Sequence, residues 1–242
     1  MNMQKPNLGK PLPFAFYDKR NYNSLSVSEG YKLWSKTYSL IHFFDIDLLN
    51  FSSVVSKNIS GKEILDVGCG TGRIGSWIKQ FSPSILYGID ISPDMLSIAK
   101  EQNIYTSLFN VDIITFSENK SFDLIFSSFV TCHIKNIDTF YQKISILTKN
   151  GGFYCLIDYH PFFLFNGIPS HFRNEENNEE YAIENYIHTL SDHFNYSQKN
   201  NLKLIEFYER FVTDEFIENH KPMDKYKGMP VSFLMLFINK AV

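Results

Sequence analysis

Cysteine is scarce in this 242-residue chain, with only Cys69, Cys132 and Cys155, scattered and odd in number. That pattern argues against a disulfide framework and suits free thiols in a reducing compartment. No run of 18 apolar residues occurs, so no membrane-spanning helix and no membrane partner are expected. The opening MNMQKPNLGKPLPF lacks the long apolar stretch of a secretory leader, which makes a cytoplasmic protein the expectation. Positive charge is not in excess either. Lys and Arg number 23 against 26 Asp and Glu, a net charge of −3. Without a broad basic field, nucleic acid is not the expected partner. Internal repeats and low-complexity tracts are missing. Cys132-His133 has no second ligand pair at fixed spacing, so no metal site is expected.

What is present is a globular composition, 44% apolar and 16% aromatic. Residues 1–22 hold three prolines and little periodicity and are expected to form a flexible arm. Tyr31, Trp34, Tyr38, Ile41 and Phe44–Ile46 then recur at three- and four-residue steps, which predicts an amphipathic helix from Val27 to about Asn58. Its aromatics either pack on a sheet or line a ligand site. Further on, strands are predicted at Ile64–Leu65, Ile85–Ile89, Tyr105–Phe109, Ser121–Phe126 and Phe153–Ile157. Helices at Arg73–Gln80, from Ser92-Pro93, and at Ile137–Thr148 alternate with them. Near-continuous apolar strands alternating with helices predict an α/β protein with a mostly parallel sheet. Residues 159–190 show no clear helix and read as an insertion at the sheet's rim. A helix at Ser191–Asn200 and strands at Leu202–Tyr208 and Val231–Ile238 follow, the last two as a pair around a long excursion.

The most informative stretch is KEILDVGCGTGRIG, residues 62–75. A strand running into a glycine turn and then a helix is a nucleotide-handling layout. Here the turn is GxGxG, Gly68-Cys69-Gly70-Thr71-Gly72, and Asp66 stands just before it. A carboxylate there repels a pyrophosphate and suits a ligand carrying an ammonium and a sulfonium. Asp90, 24 residues later at the next strand end, is placed to accept two ribose hydroxyls. Asp112, after the third strand, is placed to accept from an adenine amine. Three acids at successive strand ends make a coherent nucleoside pocket.

ILDVGCGTG (64–72), GIDISPDML around Asp90, Val111-Asp112, FDLIFSS (122–128) and KNGGFYCLID (149–158) together resemble the ordered motifs of class I S-adenosylmethionine-dependent methyltransferases. The resemblance covers roughly residues 60–160. It implies a Rossmann-like seven-stranded sheet, mostly parallel with the last strand antiparallel, helices on both faces, an N-terminal helical cap and an insertion after strand 5. One methyltransferase domain, 23–242, is thus expected, with a cap at 23–60, a cofactor-binding core at 61–158, a lid or substrate insertion at 159–190 and the rest of the sheet at 191–242. The cofactor implied is S-adenosyl-L-methionine. Gly68, Gly70 and Gly72 would line its methionine portion, Asp90 its ribose, and Asp112 with Val111 its adenine. Phe129 would lie near the methionine part and the substrate entrance. Asp66, Cys69, Ile91, Met95 and Ser127 complete the expected cofactor-binding set in the core. YKLWSKTYSL (31–40) resembles the helix that covers the cofactor in many small-molecule members, which adds Tyr31, Trp34 and Tyr38.

Methyl transfer needs alignment and water exclusion more than side-chain chemistry. A base is required only if the acceptor starts as a protonated amine or an alcohol. The candidate catalytic residues are His160, His133 and His171, each also open to an ordinary packing role. The expected function is methyl transfer to N, O or C of a small organic molecule, by a monomer or homodimer. The alternatives are a methyltransferase for nucleic acid or protein, or a non-catalytic S-adenosylmethionine-binding protein. A nicotinamide-dependent oxidoreductase is disfavoured by the GxGxG turn and Asp66.

Overall fold

The computed structural model describes residues 12–38 and 59–240. Seven strands form the central sheet: β3 (Glu63–Val67), β4 (Ile85–Asp90), β5 (Ser107–Asn110), β6 (Phe122–Ser128), β7 (Thr148–Tyr159), β11 (Leu202–Phe211) and β12 (Pro230–Asn239). Their order is β11-β12-β7-β6-β3-β4-β5. β12 alone runs against its neighbours, antiparallel to both β7 and β11. The expected seven-stranded, mostly parallel sheet with an antiparallel last strand is therefore the observed one.

Alternation along the strands builds a core on each face, because successive side chains point to opposite sides. Ile64, Leu124, Phe126 and Ile157 face one side, where α2 (Arg73–Lys79) contributes Ile74 and Ile78. Leu65, Val67, Ile125 and Leu156 face the other, against Phe140 and Ile144 of α4 (Ile137–Leu147). Helix starts follow their local chemistry. Ser92 caps α3 (Pro93–Glu101) by accepting from the Met95 N–H at 3.3 Å, with Pro93 at the first position.

The N-terminal part differs from expectation. Residues 12–22 do not stand off as a loose arm. β1 (Leu12–Pro13) pairs antiparallel with β10 (Tyr186–Ile187), and Phe14 is buried beside Cys132, Leu164 and Ile187. Backbone pairing and one buried aromatic ring hold this segment. α1 spans Val27–Tyr38; the remainder of the predicted helix, with Ile41 and Phe44–Ile46, lies outside the described residues, as do residues 1–11.

The insertion has its own structure. α5 (Pro161–Phe165) opens it, and β8 (His171–Arg173) and β9 (Glu180–Ile183) join β2 (Asn23–Leu25) in a small sheet ordered β2-β9-β8. α1 packs on this sheet so closely that a Cβ on Gly30 would lie 2.7 Å from Cγ1 of Ile183. α6 (Leu190–Lys199) and α7 (Asp214–Asn219) complete the α-helices among the described residues.

Candidate active site

The first strand of the central sheet, β3, lies between β4 and β6, so the order of strands across the sheet reverses beside it. Open α/β sheets bind ligands at such a point, beyond the carboxyl ends of the strands. A cavity of about 230 Å³ occupies it here. The glycine turn forms one wall. Gly68 has φ +67°, and a Cβ on it would sit 2.4 Å from Cγ2 of Val130. Gly70 has φ +52°, and a Cβ there would meet no atom within 4 Å. The first glycine is thus required by close packing and backbone, the second by a left-handed turn that opens onto space.

Asp90 fixes the turn. Its Oδ2 accepts from the Gly70 N–H at 2.9 Å and its Oδ1 from the Ser92 N–H at 2.8 Å. Burial raises the pKa of this carboxyl, and the N–H groups of Ser92, Gly70 and Ile91 oppose that rise without cancelling it. Ile91, Met95 and Val111 provide apolar lining next to Asp90. Asp112, exposed at the rim, accepts from the Ile114 N–H at 2.8 Å. Phe129 closes the inner end with φ +57°. That is an uncommon conformation for a bulky residue and costs on the order of 1–3 kcal/mol. Its N–H donates to the Ile157 carbonyl at 2.9 Å, and its ring lies 4.6 Å from that of Tyr159. Tyr31 and Tyr38 of α1 and His133 complete the wall.

Eleven expected residues therefore meet around one cavity: Tyr31, Tyr38, Gly68, Gly70, Asp90, Ile91, Met95, Val111, Asp112, Phe129 and His133. Others are placed elsewhere. Asp66 is buried and accepts from the Tyr105 hydroxyl at 2.6 Å. Tyr105 fills the space left by three small residues, because a Cβ on Gly75, Gly88 or Gly72 would come within 2.2, 2.9 or 3.3 Å of its ring or hydroxyl. Cys69 is buried, and a Cβ on Gly88 would lie 3.0 Å from its Sγ. Burial and then the charges of Asp66 and Asp90 push its thiol well above the ordinary range. Gly72 begins α2, 3.5 Å from the backbone of Ala99 if it carried a Cβ. Ser127 hydrogen-bonds the Tyr154 hydroxyl at 2.8 Å inside the core, whereas Ser128, on the opposite face of the strand, lines the cavity. Trp34 is buried under α1 and stacks on Phe172 at 5.2 Å.

The three histidines are distinguished by their partners. His160 caps α5: its Nδ1 accepts from the Phe162 N–H at 3.1 Å, so its Nε2 is the donor to Glu209 at 2.8 Å. His171 donates from Nδ1 to the Pro169 carbonyl at 2.8 Å on the small sheet and packs on Tyr22 at 5.4 Å. Burial lowers its pKa. Only His133 of the three lines the cavity, where it meets the Tyr31 hydroxyl at 3.0 Å. Val27, Val67, Ile89, Ile113, Val130 and Ile134 also line it and were not anticipated. The strand residues among them follow from position at strand ends, but Val27 and Ile134 carry no sequence signal. Among the described residues, no group of three or more His, Cys, Asp or Glu side chains converges as for a metal ion.

A methyltransferase-domain family model matches residues 65–156. A demethylmenaquinone methyltransferase from Tropheryma whipplei is 38% identical over 98 residues, covering 38% of this chain and 40% of that protein. The chain spans less than half the length of the first curated relatives it matches. Among solved structures, an S-adenosylmethionine-dependent methyltransferase from Mesorhizobium loti superposes with a TM-score of 0.67 at 17% identity, over 79% of this chain and 97% of that one. Magnesium protoporphyrin IX methyltransferase from Synechocystis, solved with S-adenosylmethionine bound, superposes with a TM-score of 0.60 at 16% identity, over 88% and 92%.

Proposed function

We propose that the chain, which belongs to the class I S-adenosylmethionine-dependent methyltransferases, transfers a methyl group from S-adenosylmethionine to N, O or C of a small organic molecule. The observation that carries the reading is the pairing of Gly70 with Asp90 at the cavity wall. A left-handed glycine opening onto space and a carboxylate held by its N–H make a cradle for a ribose beside a chain-like tail. The residues fit the cofactor. Asp90 would accept from the ribose hydroxyls, Ile91, Met95 and Val111 would sandwich the adenine, with Asp112 at its amine edge, and Gly68 and Gly70 would flank the methionine part. Asp66 is assigned to the support of the loop through Tyr105 rather than to ligand contact. When bound, the cofactor supplies an activated methyl group on sulfur. The chain's own residues then orient the acceptor and exclude water, a task for Tyr31, Tyr38 and Phe129.

Small-molecule acceptors are supported by the names of the relatives, one acting on demethylmenaquinone and one on magnesium protoporphyrin IX. The same reading places the enzyme in the cytoplasm as a monomer or homodimer without nucleic acid. Its three buried free cysteines accord with a reducing compartment. No helix among the described residues is long and apolar enough to cross a membrane. The test supplies methyl-labelled S-adenosylmethionine with fractionated cell extract. Label in the low-molecular-weight fraction is expected; label confined to nucleic acid or protein would overturn the small-molecule assignment.

A further inference from the structure

We infer that Tyr31 and His133 act as one proton-accepting pair for an uncharged acceptor that presents a hydroxyl group, an inference that rests on the methyltransferase reading. The geometry assigns the protons. His133 Nδ1 lies 2.7 Å from the Glu184 carbonyl, which can only accept, and 3.4 Å from the Asn185 amide nitrogen, so the shorter contact puts the hydrogen on Nδ1. Nε2 is then bare and accepts from the Tyr31 hydroxyl at 3.0 Å. The Tyr31 oxygen keeps lone pairs for a hydroxyl in the cavity that both side chains line. α1 holds Tyr31 in place through Gly30 against Ile183 and through Trp34, which lies parallel to Tyr31 at 5.9 Å and stacks on Phe172.

The transfer balances as follows. As the acceptor oxygen forms its bond to the methyl carbon, its proton passes to the Tyr31 oxygen and the Tyr31 proton passes to His133 Nε2. The electrons of the broken carbon–sulfur bond stay on sulfur. A methyl ether and an imidazolium result, and the imidazolium Nδ1 still donates to Glu184.

Two features select the acceptor. Burial pushes His133 down to about 4. A base that weak does not deprotonate an alkylammonium, whose pKa is about 10, but it serves a hydroxyl whose proton becomes strongly acidic as its oxygen gains a methyl group. Secondly, the groups facing the pair offer an anion no partner. Glu184 faces His133, while Tyr38, Cys132, Tyr159 and Asp90 face Tyr31. Among the described residues lining the cavity there is no Lys or Arg, and Asp90 and Asp112 are its charged members. A phosphate or carboxylate on the acceptor would find no countercharge among those lining residues.

The test uses 2-naphthol, 2-naphthyl phosphate and 2-naphthoate, three probes sharing one ring system, titrated by fluorescence into the complex of the protein with S-adenosylhomocysteine. The neutral probe is expected to bind about tenfold tighter than either anion. Equal or tighter binding of an anion, or binding of none of the three, overturns the acceptor class. Nitrogen-15 spectra are expected to show His133 protonated at Nδ1 and bare at Nε2 at neutral pH; the opposite tautomer overturns the proton assignment. Tyr31→Phe is expected to lower kcat for 2-naphthol methylation by about 100-fold while S-adenosylhomocysteine still binds. An unchanged kcat would refute the pair. Failure of the wild-type protein to bind S-adenosylhomocysteine would instead refute the methyltransferase reading itself.

Discussion

Replacing Asp90 with Asn separates the ligand role of this residue from its structural one. The carboxylate accepts two backbone N–H groups, from Gly70 and Ser92, at 2.9 and 2.8 Å. Asn offers one acceptor oxygen, so its amide NH₂ must face one of those donors, at a cost of roughly 1.5–3 kcal/mol. Burial works in the other direction. The pKa of Asp90 is raised, which means that the charged form is less favoured in the folded protein than in the unfolded chain. A carboxyl raised in this way contributes stability below its unfolded pKa and loses it as pH rises through the folded one, so the charge is a net burden at neutral pH. The two effects oppose, and urea unfolding of Asp90→Asn at pH 7 is expected to stay within about 1 kcal/mol of wild type. Binding has no such compensation. Loss of a charged acceptor for ribose hydroxyls is worth roughly 1.5–3 kcal/mol, or about a 10- to 150-fold weaker Kd for S-adenosylhomocysteine by calorimetry. Affinity within twofold of wild type would refute the role given to Asp90.

Tyr105→Phe removes the 2.6 Å donor from buried Asp66 and is expected to cost about 1–3 kcal/mol in urea unfolding. A loss below about 0.5 kcal/mol would show that this bond does not support the loop. Gly30→Ala adds a methyl group 2.7 Å from Ile183. The helix-propensity gain of about 1 kcal/mol is set against an overpacking cost of about 1–3 kcal/mol, so no net stabilisation is expected. A more stable variant would show that α1 has room to move. Acid stability should follow the buried histidines. Burial lowers the pKa of His133, His188 and His193 below the ordinary 6.5. A depressed histidine gives its full stability above the unfolded pKa and loses it as pH falls, by about 1.4 kcal/mol per pH unit for each ring that titrates. Unfolding free energy is therefore expected to fall between pH 6.5 and 4, His133 reaching its limit at about 4. A flat profile over that window would contradict the burial of neutral rings.

Strand identity and order were legible because apolar runs and glycine turns are local signals. The Gly68–Gly72 turn, Asp90 at the end of β4 and Asp112 beyond β5 all lie where the periodicity puts them. Residue-level roles were less legible wherever a distant partner decides them. Asp66 and Cys69 belong to the motif, yet Tyr105, 39 residues from Asp66, draws that carboxylate into the core. The choice among His133, His160 and His171 depends on Tyr31, Glu209 and Pro169 respectively, and only the last is a sequence neighbour. Trp34 shares a helix face with Tyr31 and Tyr38 but meets Phe172 across the insertion, which spacing does not reveal. Ser127 and Ser128 differ by one position on a strand, and that shift alone exchanges core for cavity. The pairing of β2 with β9 and of β1 with β10 joins segments more than 150 residues apart, a contact with no local signature.

The most direct test of the cofactor assignment is parallel calorimetric titration of the purified protein with S-adenosylhomocysteine and with NADH. Saturable one-to-one binding of S-adenosylhomocysteine and no heat from NADH is the predicted result. Binding of NADH with none of S-adenosylhomocysteine would contradict the account.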